Sequence, residues 1–342
     1  MLAFAGELIR QWDRHPALRD KWRAPFWAGI HCLSLFPPVL LMLAWRSGGH
    51  VGGQTGDWFN WRAKVMWVTM ILRDRWELFD LASLAVLFLV LLKGFRDPNI
   101  QYSRHLSISA LFLLAVYLLL PRIVFGSAYA DMRLAPFAIA VALIAIRPRP
   151  NVSARALATF ALLGLSFYAV RLAGTTVSFA LYDRSYDRAL TALDKLPQHA
   201  RVVSFVGRRC QDDWGYSRLE HLPAMLIVRR LAFSNDQWSM AGAQQLTTRY
   251  PAAKGFAHDP SQIVTDKKCR GEWWRPIKRA QARFPRDAFD YVWLLNPPPH
   301  DARLLQGLTP IWRDGDDVLY RVDDRRQPAE PDPEQPPQFS KP

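Results

Sequence analysis

The sequence predicts a helical membrane domain of about five transmembrane helices followed by a small α/β domain outside the cytoplasm. Long apolar runs occupy the chain only before Tyr182. From Asp183 onward, short apolar runs alternate with helix-compatible segments. The last residues, 325–342, are rich in proline and acid and predict a disordered tail. The mean hydropathy of -0.07 over 342 residues averages across this division and therefore conceals it.

The N-terminal segment, residues 1–25, combines an amphipathic stretch with five basic side chains. This pattern predicts a helix on the cytoplasmic membrane surface, and it is too charged for the start of a signal peptide. Residues 26–45 predict the first span. Pro37 and Pro38 should free backbone carbonyls and kink this helix near its middle.

A glycine-rich loop, residues 48–56, precedes a predicted helix over 58–76. Its large apolar side chains recur at helical spacing and are Trp58, Trp61, Val65, Val68, Leu72 and Trp76. Tryptophans on the apolar side of an amphipathic helix favour a position in the membrane interface. The alternative is a helix that packs against the soluble domain.

The remaining spans are predicted near residues 78–95, 106–121, 129–146 and 156–182. Arg147, Arg149 and Arg155 fall in a loop that contains no acid, so we expect this loop in the cytoplasm. Alternation along the chain then places the N-terminus in the cytoplasm and everything after Tyr182 outside. This is the topology of a multi-pass protein of a bacterial inner membrane with a periplasmic C-terminus.

The predicted extracytoplasmic α/β domain covers residues 183–324. Residues 201–206 and 289–295 are short apolar runs typical of buried strands, and Asp314-Gly315 predicts the turn of a hairpin. Cys210 and Cys269 could form a disulfide in an oxidising compartment. The sequence has no zinc-ligand spacing and indicates no cofactor, and nothing in it points to a divalent metal.

The net charge of +14 predicts an anionic partner, either membrane lipid or nucleic acid. Basic residues in cytoplasmic loops that face anionic lipid explain this excess, and no nucleic-acid-binding motif is present. We therefore expect membrane lipid as a partner and do not expect nucleic acid. Protein partners cannot be named from the sequence.

Charged residues at the outer ends of the spans form the candidate site. Asp57 and Asp131 are the candidate catalytic acids, and Arg122, Arg133 and Arg171 are the candidate lipid-phosphate ligands. Outer arginines oppose the positive-inside bias, and a guanidinium matches a phosphate in geometry and charge. The alternatives are contacts with ordinary headgroups, pairing with Asp131 and, for Arg171, snorkelling to the interface.

The phrase from Gly126 to Pro136, which contains Asp131 and Arg133, resembles a late-span segment in bacterial glycosyltransferases of the GT-C superfamily. The layout of spans, interfacial helix and external α/β domain is similar to the C-terminal half of such enzymes. The resemblance implies transfer of a sugar from a polyprenyl phosphate on the outer face. Asp57 or Asp131 would deprotonate the acceptor, and the arginines would stabilise the departing lipid phosphate.

A non-enzymatic protein is the alternative reading of the same sequence. In that case the spans only anchor the α/β domain, which binds a protein or another envelope component. The candidate contacts are four tryptophans, Trp214, Trp238, Trp273 and Trp274. A transporter is disfavoured because the spans show no internal repeat and few intramembrane charges.

Overall fold

The computed structural model describes residues 2–15, 20–47, 55–124, 128–210, 214–215, 218–238, 248–270 and 272–327. The chain forms two compact units, Met1–Gly174 and Thr175–Pro342, which we call unit 1 and unit 2. The boundary falls eight residues before the 182/183 division expected from the sequence. Residues 328–342, most of the predicted tail, lie outside the described residues.

Unit 1 is built from helices. They are α1 (Leu2–Arg14), α2 (Arg23–His31), α3 (Phe36–Ser47), α4 (Trp61–Thr69), α5 (Glu77–Arg96), α6 (Arg104–Leu119), α7 (Ala135–Ile144) and the first part of α8 (Ala154–Leu190). In α5, acids lie in the first turn and bases in the last, which complements the helix dipole. The interfacial helix predicted over 58–76 is shorter in the structure, because α4 ends at Thr69 and turns follow it.

Two helices in the described part of the chain are long and apolar enough to cross a membrane: α5, and α8 with its continuation to Lys195. The pair Arg23–His31 and Leu33–Leu41, bent by 47°, makes a third if it counts as one span. The predicted kink therefore exists but lies after His31. Pro37 and Pro38 instead occupy the first turn of α3, where a missing N–H leaves no helical hydrogen bond unmade.

The predicted hairpin of residues 106–146 forms from α6 and α7, which pack together and bury Ala135 and Ala138. With 16 and 10 residues, both helices are shorter than an ordinary span. The five-span topology therefore stays a prediction. What the structure supports is a protein compatible with membrane association.

A short antiparallel ribbon closes the end of the hairpin away from its tip. Its strands are β1 (Ile100–Tyr102) and β2 (Ile146–Pro148). At this same end Arg104, the first residue of α6, donates to the Asp13 carboxylate on α1 at 2.8 Å. The N-terminal helix and the two loops predicted to share the cytoplasm thus lie at one end of unit 1.

Unit 2 contains one mixed six-stranded sheet. The strands are β3 (Val202–Gly207), β4 (Ile263–Thr265), β5 (Arg275–Pro276), β6 (Tyr291–Leu295), β7 (Leu308–Asp314) and β8 (Asp317–Val322). Their order is β5-β4-β3-β6-β8-β7. The pairs β5–β4, β4–β3 and β3–β6 are parallel, and the pairs β6–β8 and β8–β7 are antiparallel. This confirms a separate α/β region, with the predicted strands 201–206 and 289–295 at its centre. The predicted hairpin is also present as β7–β8.

Both faces of this sheet are covered, which explains why β3 and β6 read as continuous apolar runs. On one face, Val202 and Val206 pack with the end of α8 and with α9 (Met225–Arg230). On the other face, Val203 and Phe205 pack with α10 (Ile277–Arg283) and the aromatic residues that follow it. Unit 2 therefore has a hydrophobic core of its own.

Candidate functional site

Asp57 and Arg122 form an ion pair that joins the segment before α4 to the tip of the hairpin. Gly56 and Ile123 make an antiparallel bridge, and Arg122 Nε donates to the Asp57 carboxylate at 2.5 Å. Asn60 donates to both carboxylate oxygens at 3.2 Å, while its own side-chain oxygen caps α4. The pair remains in contact with solvent, since the Asp57 and Arg122 side chains are 28% and 33% exposed.

Three non-glycine residues at this end of unit 1 have left-handed backbones. The φ values are 61° at Asp57, 53° at Phe59 and 64° at Tyr129. Each such residue costs about 1 kcal/mol or more and persists only where surrounding contacts hold it. Here the Gly56–Ile123 bridge and the Asp57–Arg122 pair supply those contacts. Clustered backbone strain of this kind is characteristic of functional sites.

Asp131, the second candidate acid, is buried. Its carboxylate accepts from Lys64 Nζ at 3.1 Å and from the Met132 backbone amide at 2.9 Å. Lys64 Nζ also donates to the backbone carbonyls of Tyr117 and Leu120, and the Tyr117 hydroxyl donates to the Lys64 carbonyl. The side chains of Lys64 and Asp131 are only 3% and 1% exposed, so Asp131 cannot reach an acceptor in this arrangement.

Sequence reasoning did not include Lys64 among the candidate site residues. One signal pointed to such a residue. An acid inside an apolar hairpin requires a cationic partner, because an isolated buried charge is costly. The sequence could not identify the partner, since that depends on how α4 packs against α6.

Arg171 is hydrogen-bonded within unit 1. Its guanidinium donates to the Asp80 carboxylate at 2.7 Å and to the Leu72 carbonyl at 3.1 Å, and it lies 4.8 Å from the centre of the Phe79 ring. Asp80 also accepts from the Asp74 backbone amide. Arg171 therefore ties α8 to the start of α5, and its guanidinium is already engaged within unit 1.

Arg133 differs from the other two arginines. It lies on the short helical turn Met132–Leu134 between Asp131 and α7, and its side chain is exposed. Within the described part of the chain, its guanidinium makes no ion pair or hydrogen bond. Of the three candidate phosphate ligands, Arg133 alone is thus both exposed and unengaged among the described residues.

Large apolar side chains around the start of α4 face outward. Trp58, Phe59, Trp61 and Val65 are all exposed, and the three rings follow one another with centroids about 6 Å apart. The opposite face, with Ala63 and Lys64, is buried. This is the orientation that the interfacial hypothesis requires. His50, which the sequence places in the preceding loop, lies outside the described residues.

In unit 2, Cys210 and Cys269 form a disulfide. It links the segments that follow β3 and β4 at the carboxyl edge of the sheet. Over the residues that the structure describes, no group of three or more His, Cys, Asp or Glu side chains could hold a metal ion. No family model, curated protein or solved structure matches the chain.

Proposed function

We propose that this protein inserts in a membrane and binds a phosphate-bearing lipid at the end of unit 1 where the segment before α4 meets the hairpin tip. We call this region the α4–hairpin end. The observation that carries the proposal is that the partly exposed Asp57–Arg122 pair and the unengaged Arg133 both lie at this end of unit 1. Exposed aromatic residues of the α4 segment lie beside them. Guanidinium groups match a phosphate, and interfacial tryptophans place such a site at headgroup depth.

The ligand class that fits the resemblance to GT-C glycosyltransferases is a polyprenyl-phosphate-linked sugar. In a sugar transfer, Asp57 would take the proton from the acceptor hydroxyl as oxygen attacks the anomeric carbon. The bond from that carbon to the lipid phosphate would break, and Arg133 would stabilise the negative charge left on the phosphate. Asp131 and Arg171 have no part in this proposal, because their partners within unit 1 already engage them.

The proposed topology has five spans in a bacterial inner membrane, with the N-terminus inside and unit 2 outside. Two contacts support it: the β1–β2 ribbon and the Asp13–Arg104 ion pair. Both bring together segments that the topology assigns to the cytoplasm. In this topology Asp57, Arg122 and Arg133 lie at the outer end of the hairpin.

A second candidate function is that of a membrane anchor for unit 2, which would bind a partner. It is favoured by the buried pairs Lys64–Asp131 and Asp80–Arg171, which hold helices together and leave fewer groups for chemistry. The separate core of unit 2 fits this role as well. The two functions differ in whether the α4–hairpin end binds a lipid phosphate.

The test is binding of a short-chain polyprenyl phosphate to the purified full chain in detergent. We expect saturable binding that Arg133→Ala weakens about tenfold, equivalent to about 1.4 kcal/mol. Arg147→Ala is the matched control, because it removes another exposed arginine at the opposite end of the hairpin. Absence of binding, or equal effects of the two substitutions, would overturn the lipid-phosphate site and leave the anchor function.

Sugar transfer is tested separately with Asp57→Asn. This variant keeps a hydrogen-bonding side chain beside Arg122 but removes the proton acceptor. We expect it to retain lipid binding and to lose transfer from a polyprenyl-phosphate sugar. Transfer at the wild-type rate would exclude Asp57 as the base while leaving the binding site intact.

A further inference from the structure

A strongly basic segment lies in unit 2. Residues 266–283 contain seven lysines and arginines but only two acids, Asp266 and Glu272. Two tryptophans, Trp273 and Trp274, lie within it. The segment starts directly after β4 and continues through β5 and α10.

The two tryptophans have different surroundings. The Arg208 guanidinium lies 4.4 Å from the centre of the Trp274 ring, which is partly buried. Trp273, by contrast, is 87% exposed, the highest exposed fraction among the large apolar residues of the described chain. The Trp273 indole is therefore accessible to a molecule outside the unit.

The loop that carries Trp273 is held in place from both sides. The Cys210–Cys269 disulfide fixes its start, and Lys268 Nζ donates to the backbone carbonyls of Glu272 and Trp274 at 2.5 and 3.3 Å. These hydrogen bonds from the Lys268 ammonium group connect the two ends of the loop. A loop ordered in this way loses little conformational freedom on binding.

Two basic residues belong to the same stretch: Lys267 lies just before the loop, and Arg270 lies within it. Both are exposed, and in the described part of the chain their side chains make no ion pair or hydrogen bond. Their charges are thus available to an external anion. Together with Trp273 they form what we call the basic–tryptophan surface.

In parallel sheets of this order, small ligands usually bind in the crevice where neighbouring connections leave the sheet in opposite directions, here between β3 and β6. At that point the two chain segments approach closely, since a Cβ atom on Gly207, at the end of β3, would lie 1.8 Å from the Asn296 carbonyl oxygen after β6. The basic–tryptophan surface consists instead of exposed side chains, which suits an extended anionic partner better than an enclosed small molecule.

We propose that the basic–tryptophan surface of unit 2 binds an anionic lipid surface. Tryptophan and basic residues are both enriched at the headgroup boundary, and basic residues bind anionic lipid electrostatically. Because α8 contributes to a candidate span and to the core of unit 2, unit 2 is covalently held near any membrane that this span enters. The inference rests on the proposed membrane insertion, but not on the lipid-phosphate site.

The test is hydrogen–deuterium exchange of the full chain in nanodiscs, where both membrane faces are open. Discs of phosphatidylcholine alone are compared with discs that also contain phosphatidylglycerol. We expect amide exchange in residues 266–276 to slow about tenfold in the anionic discs. Lys267→Gln/Arg270→Gln and Trp273→Ala should each remove this protection. Lys195→Gln/Arg229→Gln is the matched control, since it removes two exposed charges elsewhere in unit 2.

Three results would overturn the proposal. One is equal exchange in the two kinds of disc, and another is an equal effect of the control variant. The third is the same protection when soluble glycerol phosphate is added to phosphatidylcholine discs, which would indicate a free-anion site. Failure of the polyprenyl-phosphate assay would not affect these readouts. Failure of the chain to enter discs at all would instead overturn membrane insertion.

Discussion

Two acid–cation pairs join the α4 segment to the hairpin, and they differ mainly in their access to water. Lys64–Asp131 is almost fully buried, whereas Asp57–Arg122 is about one-third exposed. Burial makes an unpaired charge costly, so the first pair is well suited to fixing structure. Solvent contact makes the second pair easy to open, so its groups remain available to a ligand. Burial thus separates a structural role from a candidate chemical role within the same short segment.

The largest effect should come from breaking the buried pair. We expect Lys64→Met to destabilise the protein by about 3–5 kcal/mol, because Asp131 is left buried and unpaired. Thermal unfolding in detergent measures this. Lys64→Met/Asp131→Leu should recover most of the loss, since it removes both charges. Lys93→Met, at an exposed position of α5, is the control and should change the stability little. If Lys64→Met changed the stability as little as Lys93→Met, the structural role of the buried pair would be contradicted.

The Asp80–Arg171 pair provides an intermediate case. Asp80→Ala removes the carboxylate, but Arg171 keeps the Leu72 carbonyl and is 15% exposed. We therefore expect a loss of about 2–4 kcal/mol in the same unfolding measurement. Glu77→Ala changes an exposed acid of the same helical turn and should have little effect. A loss no larger than that of Glu77→Ala would show that Arg171 can reach solvent without cost.

An ion pair in unit 2 extends the comparison to the other unit of the chain. The hydrogen-bonded guanidinium of Arg201, with a smaller contribution from Arg325, holds the pKa of Asp290 below its ordinary value. The stabilisation is therefore present above the ordinary carboxyl pKa of about 4 and is lost as the pH falls through the lowered pKa. Asp290→Asn should cost about 1 kcal/mol at neutral pH. The difference from wild type should narrow below about pH 4.

Denaturant unfolding at several pH values measures this dependence. Asp287→Asn, at an exposed acid three residues earlier, is the control and should leave both stability and its pH profile nearly unchanged. A difference between Asp290→Asn and wild type that stays constant down to strongly acidic pH would contradict the assigned cause.

The smallest effect on stability is expected at Asp57. Asp57→Asn opens an ion pair that is in contact with water, so it should lower the free energy of unfolding by less than about 1 kcal/mol. The thermal midpoint in detergent checks this value on the same samples that are assayed for transfer. A loss as large as that of Lys64→Met would mean that Asp57 has a structural role, and the contrast between the two pairs would disappear.

The parts of the fold that could be predicted are those marked by a pattern in a short stretch of sequence. Strands β3 and β6 could be predicted because both of their faces are buried, which leaves an unbroken apolar run. Strands β4 and β5 could not, since they have three and two residues and no periodicity to recognise. Likewise, the sequence showed that Arg171 lies within an apolar helix, but it left snorkelling and lipid binding open and did not predict the ion pair. Arg171 pairs with Asp80 because α5 and α8 pack in antiparallel orientation. This tertiary contact cannot be predicted from a local sequence pattern.

The candidate site shows the same division. The sequence located the charged residues at the hairpin tip, but their pairing follows from tertiary contacts. Asp57 and Asp131 are equivalent as residue types. Only the packing of α4 against α6 buries one of them and leaves the other accessible.

In the proposed topology, the short α6–α7 hairpin would have a consequence for the surrounding lipid. A helix of 16 residues rises about 24 Å, whereas the hydrocarbon core of a bilayer is about 30 Å thick. A hairpin of this length that crosses the bilayer creates a negative hydrophobic mismatch, which the lipids relieve by thinning around it. Headgroups and water then move inward at the hairpin tip. A locally thinned bilayer would bring a lipid phosphate closer to Arg133 without any motion of the protein.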